Sequence, residues 1–203
     1  MFALRPAAKC TSKIVVMGAL LGASLWLGGC RRDASATVAD ASTVRHYVLD
    51  MSVECPGTPE FCWSHFTGDI SGWWDHSFSE APAALVIEPV VGGRFLERFD
   101  EAGNGAVHAT VTMADAPKLL RYEGAMGLSG IGLHMVHTFT FVPQTMKDGS
   151  EATRIELHLE ALGPIDGELE SALEAVWQHF LADRFVPYVR ARAEETSGPL
   201  EPV

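Results

Sequence analysis

Glu97 and His137 are the side chains best placed to do chemistry. On a strand, alternate residues share a face. That rule puts Glu97 with Phe95 and Phe99, and His137 with Met135, Phe139 and Phe141. A carboxylate or an imidazole among apolar neighbours is costly without a partner. Such a pair can satisfy itself, orient the polar end of a ligand, or pass a proton, which makes Glu97 and His137 the candidate catalytic residues. Other motifs fail on geometry. His134 and His137 are three apart on a strand and point to opposite faces, so they are not a metal pair. Cys62 and His65 sit one helical turn apart but lack further ligands. The run Gly127-Leu128-Ser129-Gly130 lacks the last glycine of a hydrolase elbow. Gly130-Ile131-Gly132 precedes a strand, not the helix a dinucleotide fingerprint requires. Neither a metal nor a cofactor is therefore expected.

Compartment decides how the cysteines are read. Arg5, Lys9 and Lys13 precede an uncharged stretch over 14–27 that is too short to span a bilayer and suits a signal peptide. The stretch ends in Leu27-Gly28-Gly29-Cys30, which resembles a lipobox. Residues 1–29 are thus expected to be a lipoprotein signal peptide, with Cys30 receiving lipid. Several acyl chains together make a stable membrane anchor. The chain is expected in the cell envelope, exported from the cytoplasm and attached through Cys30. In an oxidising compartment, Cys55 and Cys62 are expected to form a disulfide.

Charge narrows the partners. Three of the fifteen Lys and Arg leave with the signal, so twelve face 26 Asp and Glu, a net charge of −14. A nucleic-acid partner, which needs a basic face, is not expected. The stretch 30–44 reads as a flexible tether and 194–203 as a disordered tail. Between them lies one domain, 45–193.

The elements that position the candidates follow from period. Alternation predicts seven strands, over 45–54, 83–88, 94–99, 106–114, 118–124, 134–142 and 153–161. Short turn-rich separators imply an antiparallel meander. A short helix is expected over 59–67, with Thr58 as N-cap and Pro59 opening it, and a second short helix or turn over 69–75. From Asp166, Leu169, Leu173, Val176, Trp177, Phe180 and Leu181 recur at helical spacing, giving a long amphipathic helix that Pro187 should kink or end. One helix covers such a sheet only if the sheet curves around it. The fold class is α+β: a curved seven-stranded antiparallel sheet gripping a C-terminal helix, with two short helices after the first strand.

This order resembles the SRPBCC superfamily, the START-like helix-grip proteins related to birch pollen allergen. It is most similar to the domain of the activator of heat-shock-protein-90 ATPase homologues. The resemblance rests on Phe61-Cys62-Trp63, Gly72-Trp73-Trp74, Val91-Gly92-Gly93-Arg94-Phe95, Gly105 to Val111 and Asp115 to Glu123. It implies an apolar cavity between sheet and helix that takes a small hydrophobic molecule. An export signal argues against the chaperone role, since that chaperone is cytosolic. The cavity wall is expected from Trp73 and Trp74; from Phe95, Glu97, Ala109, Val111, Met113, Met135, His137 and Phe139 on the sheet; and from Leu173, Trp177 and Phe180 on the helix. Its entrance is expected near Gly127–Gly132. Two alternatives stay open: a cyclase- or hydrolase-type enzyme using Glu97 and His137, and a ligand-free module that assists an envelope complex. No particular protein partner follows.

Overall fold

A computed structural model describes residues 44–197. The expected signal peptide, the lipidated Cys30 and all but the end of the tether lie outside the described residues, as does the tail beyond Ser197. The fold is α+β and built as a helix grip. Strands β1 (Arg45–Pro56), β2 (Gly68–Asp69), β3 (Ala84–Ile87), β4 (Arg94–Arg98), β5 (Gly105–Asp115), β6 (Leu119–Glu123), β7 (His134–Thr145) and β8 (Glu151–Gly163) form one sheet in the order β1-β8-β7-β6-β5-β4-β3-β2. Every pairing is antiparallel. The strands from β2 to β8 follow one another as a meander, with longer connections over 70–83 and 124–133, and β1 closes onto β8 through a twelve-pair register. Helix α1 (Pro59–Phe66) starts as expected: Thr58 accepts a hydrogen bond from the Phe61 N–H, and Pro59 occupies the first turn. The sheet has eight strands rather than seven because residues 68–69 pair with β3. The segment expected as a second short helix or turn is the end of this strand followed by a turn, in which the Trp73 and Trp74 N–H groups both donate to Ile70 O.

The C-terminal helical run begins at Asp166, whose side chain accepts from the Leu169 N–H and caps α2 (Gly167–Gln178). The helix then widens into π turns over His179–Phe185 before α3 (Val186–Ser197). Proline has no N–H to donate, and its ring crowds the carbonyl four residues back. Here the Val186 N–H reaches Leu181 O, five residues back, so the wide turns precede Pro187 and the helix continues past it. It runs to Ser197, into the stretch expected as tail. Widening also turns Phe180, Leu181 and Phe185 together into the core.

That core lies between the sheet's concave face and the helices. Phe66 and Trp73 stack at 5.3 Å and both meet Phe185. Trp177 packs on Phe139 and His137 from the sheet. The expected disulfide is absent. Cys55 and Cys62 are free, buried thiols. The Cys62 thiol donates to Pro56 O at 3.5 Å. A hydrogen bond between the two sulfur groups pushes the Cys55 pKa up, with burial adding to the rise, and pulls that of Cys62 down.

Candidate functional site

Two register shifts shape the site. Against β4, Phe95 pairs with Ala109 but Leu96 pairs with Val107, so His108 is an extra residue in β5. Against β6, Val111 pairs with Tyr122 and Met113 with Arg121, which makes Thr112 extra. Each bulge flips the alternation that follows it. His108 and Ala109 therefore both turn inward, at 7% and 2% exposure. Met113, expected inward, faces out at 42%, as does Val107 at 54%. Met113 is thus removed from the expected cavity wall.

Glu97 is fully buried and well supplied with donors. Its Oε1 accepts from the Ser79 N–H at 2.9 Å, and its Oε2 from the Phe78 N–H at 3.1 Å. The imidazole of His108 completes the set, with Nε2 at 3.0 Å from Oε2. The expected pairing of Glu97 with His137 does not form, because the bulge delivers a closer imidazole. His137 is also fully buried, but among the described residues neither of its ring nitrogens has a hydrogen-bond partner. Burial alone lowers its pKa to about 3. No hydrogen bond among the described residues links His137 to Glu97.

In front of these groups lies a cavity of about 410 Å³ between α2, the π turns and the sheet. Trp74, Leu173, Trp177 and Phe180 form its helix side, and Met135 and His108 its sheet side. Met126 and Leu128 line it from the loop that the sequence places at its entrance. Trp74 stacks on Phe180 at 3.7 Å, nearly parallel, and its indole N–H donates to His76 O. Five of the expected wall residues line this space: Trp74, Met135, Leu173, Trp177 and Phe180. Trp73, Phe95, Ala109, Val111 and Phe139 are buried in the surrounding core instead. Glu97 and His137 stand one residue back, Glu97 behind His108 and His137 against Trp177. His76, Ser77, Phe78, Leu169, Ala172 and Val176 complete the lining. Leu169 and Val176 were legible as the helix stripe. His108 was not, because a bulge leaves no periodic mark in sequence.

At the rim, Asp75 gathers three cations or potential cations. His179 Nε2 lies 3.0 Å from it, His76 Nδ1 3.0 Å and Arg184 Nε 3.2 Å. Burial works to raise its pKa, but these hydrogen bonds and charges outweigh it and hold the carboxyl below its usual range. Asp75, His76 and His179 are close enough to share a metal ion. The guanidinium of Arg184 already neutralises the carboxylate, so the cluster reads as a tie between the β2–β3 connection and the helix.

No family model and no curated protein sequence matches the chain. A search of solved structures returns a protein of unknown function from Staphylococcus aureus, 12% identical over 74% of this chain and 98% of that one, with a TM-score of 0.48. It also returns a protein from Nitrosomonas europaea, 14% identical over 74% and 97%, with a TM-score of 0.49. A third is a point mutant of norcoclaurine synthase from Thalictrum flavum in complex with a transition-state analogue. That chain is 13% identical over 74% and 98%, with a TM-score of 0.45.

Proposed function

We propose that this chain is an SRPBCC-type binding protein of the cell envelope. It holds one small hydrophobic molecule between its sheet and its C-terminal helix, and a lipid on Cys30 holds it at the membrane. The observation that carries the binding reading is the cavity itself. Its volume of about 410 Å³ falls in the range typical of ligand sites, roughly 300–1,000 Å³. Its walls are aromatic and aliphatic, with few polar groups, the composition such sites share. A protein that needed only a packed core would gain by filling this space, since each unfilled methyl-sized void costs about 1 kcal/mol.

Binding here needs no covalent chemistry. Apolar surface leaves water on both sides, and Trp74 and Trp177 offer flat faces for it. The rim loop over 125–133 can supply the entry path, with Met126 in a left-handed conformation at φ 49°.

The test is a side chain that fills the cavity without touching the core. Ala172 lines the space yet is exposed on the helix surface, so Ala172→Trp should occupy it at little cost in stability. Titration of a naphthalene probe, read by indole fluorescence and by melting temperature, should show binding to the natural chain and loss of at least tenfold in affinity for Ala172→Trp. Equal binding by both chains would place the ligand elsewhere.

A further inference from the structure

Glu97 and His108 form a built polar site in an otherwise apolar wall. Glu97 is fully buried, and its two oxygens are engaged by two backbone N–H groups and the His108 ring. A carboxylate offers only acceptors. The ring nitrogen that faces it, Nε2, must therefore carry the proton. In a neutral imidazole the other nitrogen, Nδ1, is then the acceptor. Among the described residues nothing hydrogen-bonds to Nδ1 of His108. Nor is that atom sealed off, unlike both ring nitrogens of His137.

The fold takes trouble to put it there. His108 is the residue that the β5 bulge inserts, and bulges beside sites commonly serve to re-aim a side chain. Its backbone carbonyl accepts from the Met126 N–H at 3.2 Å, which fixes the bulge to the rim loop. Phe78 stacks on the ring at 5.4 Å, within 11° of parallel. Aromatic faces thus flank the acceptor on the sheet side, and the stacked Trp74–Phe180 pair flanks the cavity on the helix side.

We propose that the Glu97–His108 pair selects the ligand: the cavity takes a flat apolar molecule, aryl in character, whose hydroxyl donates a hydrogen bond to Nδ1 of His108. This rests on the binding reading above and adds the chemical class of the occupant. Glu97 is a positioning residue in this account, since it sets the tautomer and touches no ligand.

The experiment uses two probes of nearly one shape, 2-naphthol and 2-methylnaphthalene, titrated into the natural domain and into His108→Phe. Nitrogen-15 spectra of the histidine side chains report the tautomer without any substitution. The natural protein should show His108 protonated at Nε2 and should bind 2-naphthol about tenfold more tightly, the worth of one net hydrogen bond of roughly 1.4 kcal/mol. His108→Phe should bind the two probes with equal affinity. A natural protein that binds both probes equally, or whose His108 is protonated at Nδ1, overturns the selection and leaves the binding reading intact. If neither probe binds, the binding reading fails and the selection fails with it.

Discussion

His137 brings an imidazole into the core with no hydrogen-bond partner at either ring nitrogen among the described residues. Its neighbours are aromatic: Tyr122 at 5.0 Å and Trp177 at 5.1 Å. An unsatisfied buried polar group costs about 1–3 kcal/mol, whereas an apolar group of similar volume costs nothing there. His137→Leu should therefore raise stability by about 1–3 kcal/mol in urea unfolding at neutral pH, and a loss of stability would show a partner that the core does not reveal. The pH dependence has a definite sign. The folded pKa is lowered to about 3 from an ordinary 6.5. Between those values the unfolded chain takes up a proton that the folded chain refuses. Stability contributed by the neutral ring is complete above pH 6.5 and is lost as pH falls toward 3, by up to about 1.4 kcal/mol per pH unit. The His137→Leu variant should show a shallower acid dependence over that window. From sequence, the inward position of both Glu97 and His137 was legible, since strand alternation sets it. The actual partner of Glu97 was not. It is His108, and only a register shift turns that side chain inward.

The bulge in β5 is the element on which the site depends, and Gly124 makes room for it. A Cβ at Gly124 would collide with the His108 carbonyl oxygen and with Ala109. Gly124→Ala should cost about 1–3 kcal/mol, as overpacking does, and should weaken probe binding through His108. Unfolding and binding measured on the same variant check this, and an unchanged melting temperature would show that the strand yields at no cost. Ala109 gives the contrast. It is buried at 2% and does not line the cavity, so a large residue there strains the core rather than competing with a ligand. The helix stripe of Leu173, Val176, Trp177 and Phe180 was readable because 3.6-residue periodicity survives in sequence. The eighth strand was not, because two residues, Gly68 and Asp69, carry no period. The change of His179–Phe185 into π turns was likewise hidden, although Pro187 signalled that the helix could not stay regular there. For the cysteines the compartment argument misled. Cys55 and Cys62 do meet, but as hydrogen-bonded thiols beside the Pro56 carbonyl.

At the scale of the whole molecule, two ends have to be joined: an apolar cavity in a strongly acidic domain, and an N-terminal segment with the marks of a lipid anchor. The chain's net charge of −11 disfavours anionic headgroups. Under the proposed anchoring, membrane contact is left to a lipid on Cys30. Cys30→Ser should abolish labelled-palmitate incorporation and either release the protein from the membrane fraction or leave an uncleaved precursor. Unchanged fractionation and labelling would remove the anchor from the account. The central claim is that the cavity holds a small hydrophobic molecule, and native mass spectrometry of the protein purified gently from its own membranes tests it most directly. The account predicts a population heavier than the chain by one small organic molecule, which solvent extraction removes and which Ala172→Trp fails to carry. A single species at the mass of the bare chain, from natural protein and variant alike, would contradict it.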